Sequence, residues 1–280
     1  MNIGLVYSII RTDEKLLIKA AEKLGIKIKL IGLEKTVLNP DTYQVNFDVI
    51  LIRSVSSVKG LEAAKFFESL DIPVINNSVV ASICENKFAT SLILKKFKVP
   101  TLKFAMVFDL PQAFEAVKQL GGFPVVIKPI HGSWGRLVTK INDKDSLEAV
   151  LEHKHVLGSP YHKVYYIEEY IEKPGRDIRA FVINGKAVAA IYRNSFHWIT
   201  NTARGSQVSN CPINNNLADI CQQASEAVGG GVLAMDIFET KEGLKVNEIN
   251  HTMEFKNSEE PTGVSISGLI MKYCKEVVYV

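Results

Sequence analysis

The first third of the chain alternates between short apolar runs and longer segments whose apolar residues recur every three or four positions. IGLVYS, IKIKLIGL, VILIRSV and PVINN have the character of strands, and DEKLLIKAAEKLG and SVKGLEAAKFFESL between them have the spacing of one-sided helices. Strands separated by helices imply parallel βαβ units. One continuous helix is expected from Val79 to Lys98, ending ahead of Pro100. The pattern then changes: TLKFAMVFD, the helical LPQAFEAVKQLGG, FPVVIKPI, LVTKI, the helical DSLEAVLEHKHVLG and VYYIEEYI predict a small, separate α+β unit. Longer strands follow in DIRAFVINGKAVAAIYR, with a helix near 214–228, a hairpin and a helix near 264–276. The expected class is α/β (α+β), divided at 1–90, 91–167 and 168–280, with no internal repeat.

The hairpin carries the first chemical signal. GVLAMDIFET and LKVNEIN are joined by Lys241-Glu242-Gly243, with glycine where a positive φ is wanted. Pairing around Glu242 predicts Thr240 opposite Leu244, Phe238 opposite Val246 and Asp236 opposite Glu248, with Asn250 one step further on the same face. Two carboxylates directly opposed across a ladder repel. A divalent cation offsets that repulsion simply, and an all-oxygen set suits Mg²⁺ better than zinc. The competing reading is a solvated, polar sheet face.

Composition narrows the picture. Of 280 residues, 47% are hydrophobic and the formal net charge is +3, with no basic run interleaved with aromatics, so nucleic acid is not an expected partner. Cys84, Cys211, Cys221 and Cys274 form no CxxC pair and are expected as free thiols in a reducing compartment. MNIGLVYSII lacks a basic leader, and no apolar stretch approaches the ~20 residues needed to span a bilayer. A cytoplasmic protein with no membrane partner is expected.

Other segments are suggestive singly and stronger together. HGSWGR holds two glycines that let backbone amides approach phosphate oxygens, though it is not a Walker A loop, and alone it is an ordinary hairpin turn. Lys128 ends the apolar strand PVVIKP and needs a partner to be tolerated there. YYIEEYI puts two carboxylates into an apolar strand. Arg179, Arg193 and Arg204 offer guanidinium groups suited to carboxylates and phosphates. His131, His197 and His251 show no metal-ligand spacing, and no Ser–His or Cys–His pair is evident.

In order along the chain, Lys87, KPIHGSWGR, EEYI, GRDIR, NTARG and DIFE…VNEIN resemble the ATP-grasp ligases, specifically the RimK-like branch. EKPGRDIR, HWITNTARG and NHTMEFKNS bring the resemblance closest to the alpha-aminoadipate–LysW ligases of lysine biosynthesis. The resemblance implies an ATP-grasp fold with an N-terminal pre-ATP-grasp domain, and ATP as co-substrate. Lys87 and Lys128 would hold phosphates, under a cover formed by His131, Gly132, Ser133, Trp134, Gly135, Arg136 and Leu137. Glu168, Glu169, Tyr170 and Ile171 would frame adenine and ribose, with Arg179 and Asn201 near the phosphates. Asp236, Glu248 and Asn250 would bind two Mg²⁺ ions. Arg193, Thr202, Ala203 and Arg204, with Glu254, Phe255, Lys256, Asn257 and Ser258, would hold the amino acid; Arg193 and Lys128 are the implied catalytic groups. Asn257-Ser258 matches the pair that accompanies alpha-aminoadipate, where Gly-Phe accompanies glutamate. The implied partner is the small acidic carrier protein LysW, and the implied assembly a homodimer or homotetramer. The alternatives are a glutamate–LysW ligase, a RimK-like protein glutamate ligase and a non-catalytic nucleotide-binding protein; a dinucleotide oxidoreductase is disfavoured because no GxGxxG follows the first strand.

Overall fold

The computed structural model describes residues 1–132, 135–200 and 205–278, and three sheets carry most of them. The first is parallel, in the order β2-β1-β3-β4, built from β1 (Asn2–Tyr7), β2 (Lys27–Gly32), β3 (Val49–Arg53) and β4 (Val74–Ile75). Helices α1 (Thr12–Lys23) and α2 (Ser57–Glu68) connect its strands. β3 is buried along its whole length, as its continuous apolar run VILI requires, and it carries Arg53 inward with it.

The continuous helix expected over 79–98 is two helices, α3 (Ser78–Glu85) and α4 (Lys87–Lys96). Asn86 leaves the helical region at φ −103°, ψ 107°, and its Oδ1 accepts the Ala89 amide at 3.0 Å. A side chain that caps a new helix competes with continuation of the old one. The break places Lys87 at the first position of α4 rather than mid-helix.

The second sheet is antiparallel, β5-β8-β6-β7, from β5 (Phe104–Val107), β6 (Val125–Lys128), β7 (Thr139–Ile141) and β8 (Tyr165–Glu169). α5 (Leu110–Gln119) and α6 (Lys144–Leu157) pack on it through Ala113, Val117, Leu147 and Leu151. The third sheet, also antiparallel, runs β11-β10-β9-β12-β13: β9 (Arg176–Ile183), β10 (Lys186–Asn194), β11 (Gln207–Asn210), β12 (Val232–Thr240) and β13 (Gly243–Asn250). One face packs on α7 (Asn215–Val228), whose buried Leu217, Ile220, Cys221, Ala224 and Val228 follow helical spacing. The other shares a core with α9 (Ile266–Val278) and the parallel sheet, through Phe181, Ile191, Phe255 and Ile270.

Two stitches fix the sheets to each other. Asn76, just after β4, donates to the carbonyls of Val232 and His251 and accepts the Val232 amide at 2.7 Å. Gly231 permits this approach, since a Cβ there would lie 2.1 Å from Asn76 Oδ1. Ahead of β5, Pro100 accepts the Val246 amide at 2.9 Å and the Thr101 hydroxyl donates to the Val246 carbonyl at 2.8 Å. The four cysteines are free and buried. Among the described residues no helix is long and apolar enough to cross a membrane.

The β12–β13 register departs from expectation in its outer half. The turn is two residues, Lys241-Glu242, so Thr240 pairs with Gly243, Phe238 with Lys245 and Ile237 with Val246. Asn247 is then the extra residue of a bulge, and beyond it Asp236 pairs with Glu248, as expected, and Ala234 with Asn250. The bulge turns Asn247 to a use the simple alternation hides.

Candidate active site

The site is assembled where β6, β8, β9, β10, β12 and β13 meet the start of α4. Lys128, at the end of β6 and only 8% exposed, pairs with Glu168 and donates to Asn247 Oδ1 at 2.8 Å. These are the partners a buried ammonium requires. Glu168 also accepts the Tyr166 hydroxyl at 2.7 Å, which is 2.7 Å from the Ser91 hydroxyl of α4. Burial and the adjacent Glu168 carboxylate push the Tyr166 phenol well above its ordinary pKa, so it stays a donor.

Lys87 reaches across from α4. Its Nζ donates to the Gly132 carbonyl at 2.7 Å and lies 3.2 Å from Glu248, while its backbone amide donates to the Ile130 carbonyl at 2.9 Å. The turn between β6 and β7 is thereby tied to a helix N-terminus, a place where anions are favoured. Gly132 and Gly135 have φ of +132° and +64°, values that glycine adopts without penalty.

The carboxylate opposed to Glu248 is not left to repel it. Arg179, its neighbour on β9, forks both oxygens of Asp236 at 2.8 and 2.9 Å, and Arg193 reaches one of them at 3.0 Å. Burial raises the Asp236 pKa, but the two guanidinium groups outweigh it and hold the value down to about 2. Arg193 is itself 2% exposed, forked onto Asp177 with two bonds of 2.7 Å. Burial opposes its charge; Asp236 and Asp177 overcome that and raise its pKa. Its Nη1 is buried without a partner among the described residues. Asp177 also accepts the Thr200 hydroxyl, which takes a bond of 2.9 Å from Lys173 Nζ. Burial lowers the Lys173 pKa to about 8.

Two cavities meet at this charge cluster, and Lys87, Gly132, Asp236 and Glu248 border both. The narrower, of about 90 Å³, is lined by Lys128, Gly135, Arg136, Glu168, Glu169, Tyr170, Ile171 and Arg193 among the residues expected from sequence. The wider, of about 710 Å³, is lined by Arg179, Asn250, Glu254, Lys256 and Asn257. Arg193, expected on the amino-acid side, stands in the wall of the narrow cleft. Leu137 is 63% exposed, and neither it nor His131 is among the described residues that line these two cavities. Phe255 is fully buried in the core and Ser258 is 2% exposed, so both stand behind the cavity wall. Ser133, Trp134, Asn201, Thr202, Ala203 and Arg204 lie outside the described residues.

Several residues escaped the sequence reading. Asp177 stood one residue from legible: counting outward from the Asn184-Gly185 turn, with φ of +49° and +77°, puts it opposite Tyr192, and a bulge between Ala187 and Ala189 shifts it to Arg193. Asn247 needed the bulge, and Lys173 and Thr200 lie in loops with no periodicity.

The oxygens of Asp236, Glu248 and Asn250 are of the hard kind that magnesium takes, with those of Asp236 engaged by Arg179. Asp236 and Glu248 face each other in register, Asn250 follows two residues on, and the Asn250 Nδ2 is buried without a partner among the described residues. Among those residues no group of three or more histidine, cysteine and carboxylate side chains is placed to hold a metal ion, so a magnesium here would take only two carboxylates from the protein.

A sequence profile of the RimK-like ATP-grasp domain matches residues 84–274, and one of the LysX preATP-grasp domain matches residues 3–83. The chain belongs to the RimK-like ATP-grasp family. Within it, the chain is similar to the alpha-aminoadipate–LysW ligase LysX of Saccharolobus solfataricus, at 37% identity covering 96% of this chain and 98% of that one. It is similar also to the glutamate–LysW ligase ArgX of Sulfolobus acidocaldarius, at 31% identity over 98% of both. The ATP-grasp fold is shared with the crystal structure of a RimK domain protein from Sphaerobacter thermophilus, with a TM-score of 0.79, 21% identity, and coverage of 98% of this chain and 100% of that one.

Proposed function

We propose that this ATP-grasp ligase joins the α-amino group of alpha-aminoadipate to the side-chain carboxyl of the C-terminal glutamate of the carrier protein LysW. The observation that carries the reading is the meeting of two cavities at Asp236 and Glu248, one walled by lysines and arginine and the other by the 254–257 loop. A nucleotide in the narrow cleft and an amino acid in the wide cavity would approach each other at that pair. The similarity to LysX, higher than that to ArgX, supports the choice of amino acid.

The carrier carboxylate attacks the γ-phosphorus of ATP; an O–P bond forms, the bond to the β-phosphate bridging oxygen breaks, and ADP leaves. The amine then attacks the acyl carbon, phosphate leaves with the C–O bond, and the amine surrenders a proton to complete the amide. Such transfer depends on positioning and charge neutralisation. Lys87, Lys128 and the unengaged edge of Arg193 are the proposed positive groups for the phosphates. Lys87 has the reach to hold the Gly132 turn and the nucleotide together. Asp236, Glu248 and Asn250 would hold Mg²⁺, two ions in the proposed stoichiometry, which supplies further charge neutralisation to phosphate oxygens. Tyr170 and Ile171 would border the base. Lys256 and Asn257 would contact the amino acid. The division at 1–90, 91–167 and 168–280, with α4 and β8 shared across its boundaries, and a dimeric or tetrameric assembly belong to the same proposal.

Incubation of LysW with enzyme, ATP and Mg²⁺ and each amino acid in turn, followed by mass spectrometry, tests it. An adduct with alpha-aminoadipate is expected; an adduct with glutamate alone would replace the reading with the arginine-pathway alternative, and an unmodified carrier throughout would overturn it.

A further inference from the structure

The wall of the wider cavity is a loop, and loops hold a substrate well only when something fixes them. The segment 253–256 is held from α1 and β3, two hundred residues or more away in sequence. Asp13, in the first turn of α1 and 1% exposed, uses a single oxygen, Oδ1, to accept the consecutive amides of Phe255 at 2.6 Å and Lys256 at 2.9 Å. Arg53 donates to the Met253 carbonyl at 2.9 Å, and Arg11 pairs with Glu254 at 2.6 Å. Glu14, fully buried, binds both arginines and keeps them aimed at the loop. Four consecutive residues are therefore set by α1 and β3, and the next one, Asn257, faces the cavity.

We infer that Asp13 is a positioning residue for amino-acid recognition: by fixing the Phe255–Lys256 amides it sets where Lys256 and Asn257 meet the acceptor substrate. The inference rests on the proposed reading of the 254–258 loop as the amino-acid site, and it assigns part of the selectivity to the N-terminal domain. A staple that only joins two domains would predict loss of stability and nothing specific to the amino acid.

Three variants of the full-length protein separate these. Asp13→Ala removes the acceptor, Asp13→Glu keeps the charge but shifts the acceptor by a methylene, and Asp13→Asn retains Oδ1. Amide hydrogen exchange at Phe255 and Lys256 is expected to accelerate on the order of tenfold in Asp13→Ala and Asp13→Glu, the scale of one lost buried hydrogen bond, and to stay near wild type in Asp13→Asn. The β12–β13 hairpin should be unchanged. In turnover, the KM for the amino acid should rise by about the same factor while the KM for ATP holds. Wild-type exchange at the two amides in both perturbed variants, or equal rises in both KM values, overturns the inference. Absence of amino-acid-dependent turnover in the wild type would instead sink the proposed function, and the exchange measurement would still decide the role of Asp13. If Asp13→Ala does not fold, Asp13→Glu carries the test.

Discussion

The two cavities are built in opposite ways. Around the narrow cleft the charges stand in the wall itself, on strands: Lys128 against Glu168, and Arg193 against Asp177 and Asp236. On the loop side of the wide cavity Glu14 and Arg53 stand behind the wall, Arg53 holding it through the Met253 carbonyl, while Arg11, which Glu14 also binds, stands in the wall against Glu254. A cleft of the first kind is preorganised for one polyanion, since its cations are already placed and only their counter-charges need be shared. A cavity of the second kind keeps its lining side chains free to differ while the frame stays constant. On the proposed function, the contrast would separate chemistry that must not vary from recognition that can.

The largest expected effect lies in the first wall. Arg193→Ala leaves Asp177 and Asp236 buried without a shared partner, which should cost about 3–5 kcal/mol in chemical denaturation and abolish nucleotide-dependent turnover. If stability falls but ATP binding by calorimetry is untouched, Arg193 belongs to the frame and the contrast breaks. Next comes the wide cavity's frame. Ser258 is 2% exposed, so Ser258→Phe should overpack by about 1–3 kcal/mol. Asn257→Gly, at the cavity surface, should leave the melting temperature nearly unchanged yet move the ratio of kcat/KM for alpha-aminoadipate and glutamate by roughly tenfold or more. A stable Ser258→Phe variant with unaltered preference would show that the wall, not its backing, tolerates change. Tyr166→Phe removes one hydroxyl between Ser91 and Glu168 and should lower stability by about 1 kcal/mol, read from urea unfolding.

The last effect is a slope. Burial holds Lys173 at about 8 against an ordinary 10.5, so between those values the unfolded chain binds more protons than the folded one. Stability contributed through this group therefore rises as pH climbs from about 8 to 10.5, and Lys173→Met should lack that rise. A wild-type minus variant difference that stays level across the window would place Lys173 in solvent, outside the cleft wall.

How much of this was legible follows the same divide. The Asp236–Glu248 pairing was readable because side chains alternate along strands, and the true register reached the same pair by a different turn and a bulge. Counting from the Asn184-Gly185 turn falls one residue short of pairing Arg193 with Asp177, because a bulge between Ala187 and Ala189 shifts that register. Asp236 against Arg179 was not readable, since β9 and β12 are neighbours only after β10, β11 and α7 have intervened. Nor was the break at Asn86, where one side-chain bond overrules an unbroken apolar period. The Asp13 contacts lay furthest from view: α1 reads as an ordinary amphipathic helix, and nothing local tells that its first turn will meet residues 255 and 256.

The claim at the centre is that the two cavities form one reaction site at the Asp236–Glu248 pair. Crystals grown with Mn²⁺, a non-hydrolysable ATP analogue and alpha-aminoadipate test it directly. Anomalous density for manganese between the two carboxylates, triphosphate on the Lys87 and Lys128 side and the amino acid beside Asn257 is the predicted result. Manganese absent from that pair, or an amino acid bound away from the 254–258 loop, would contradict it.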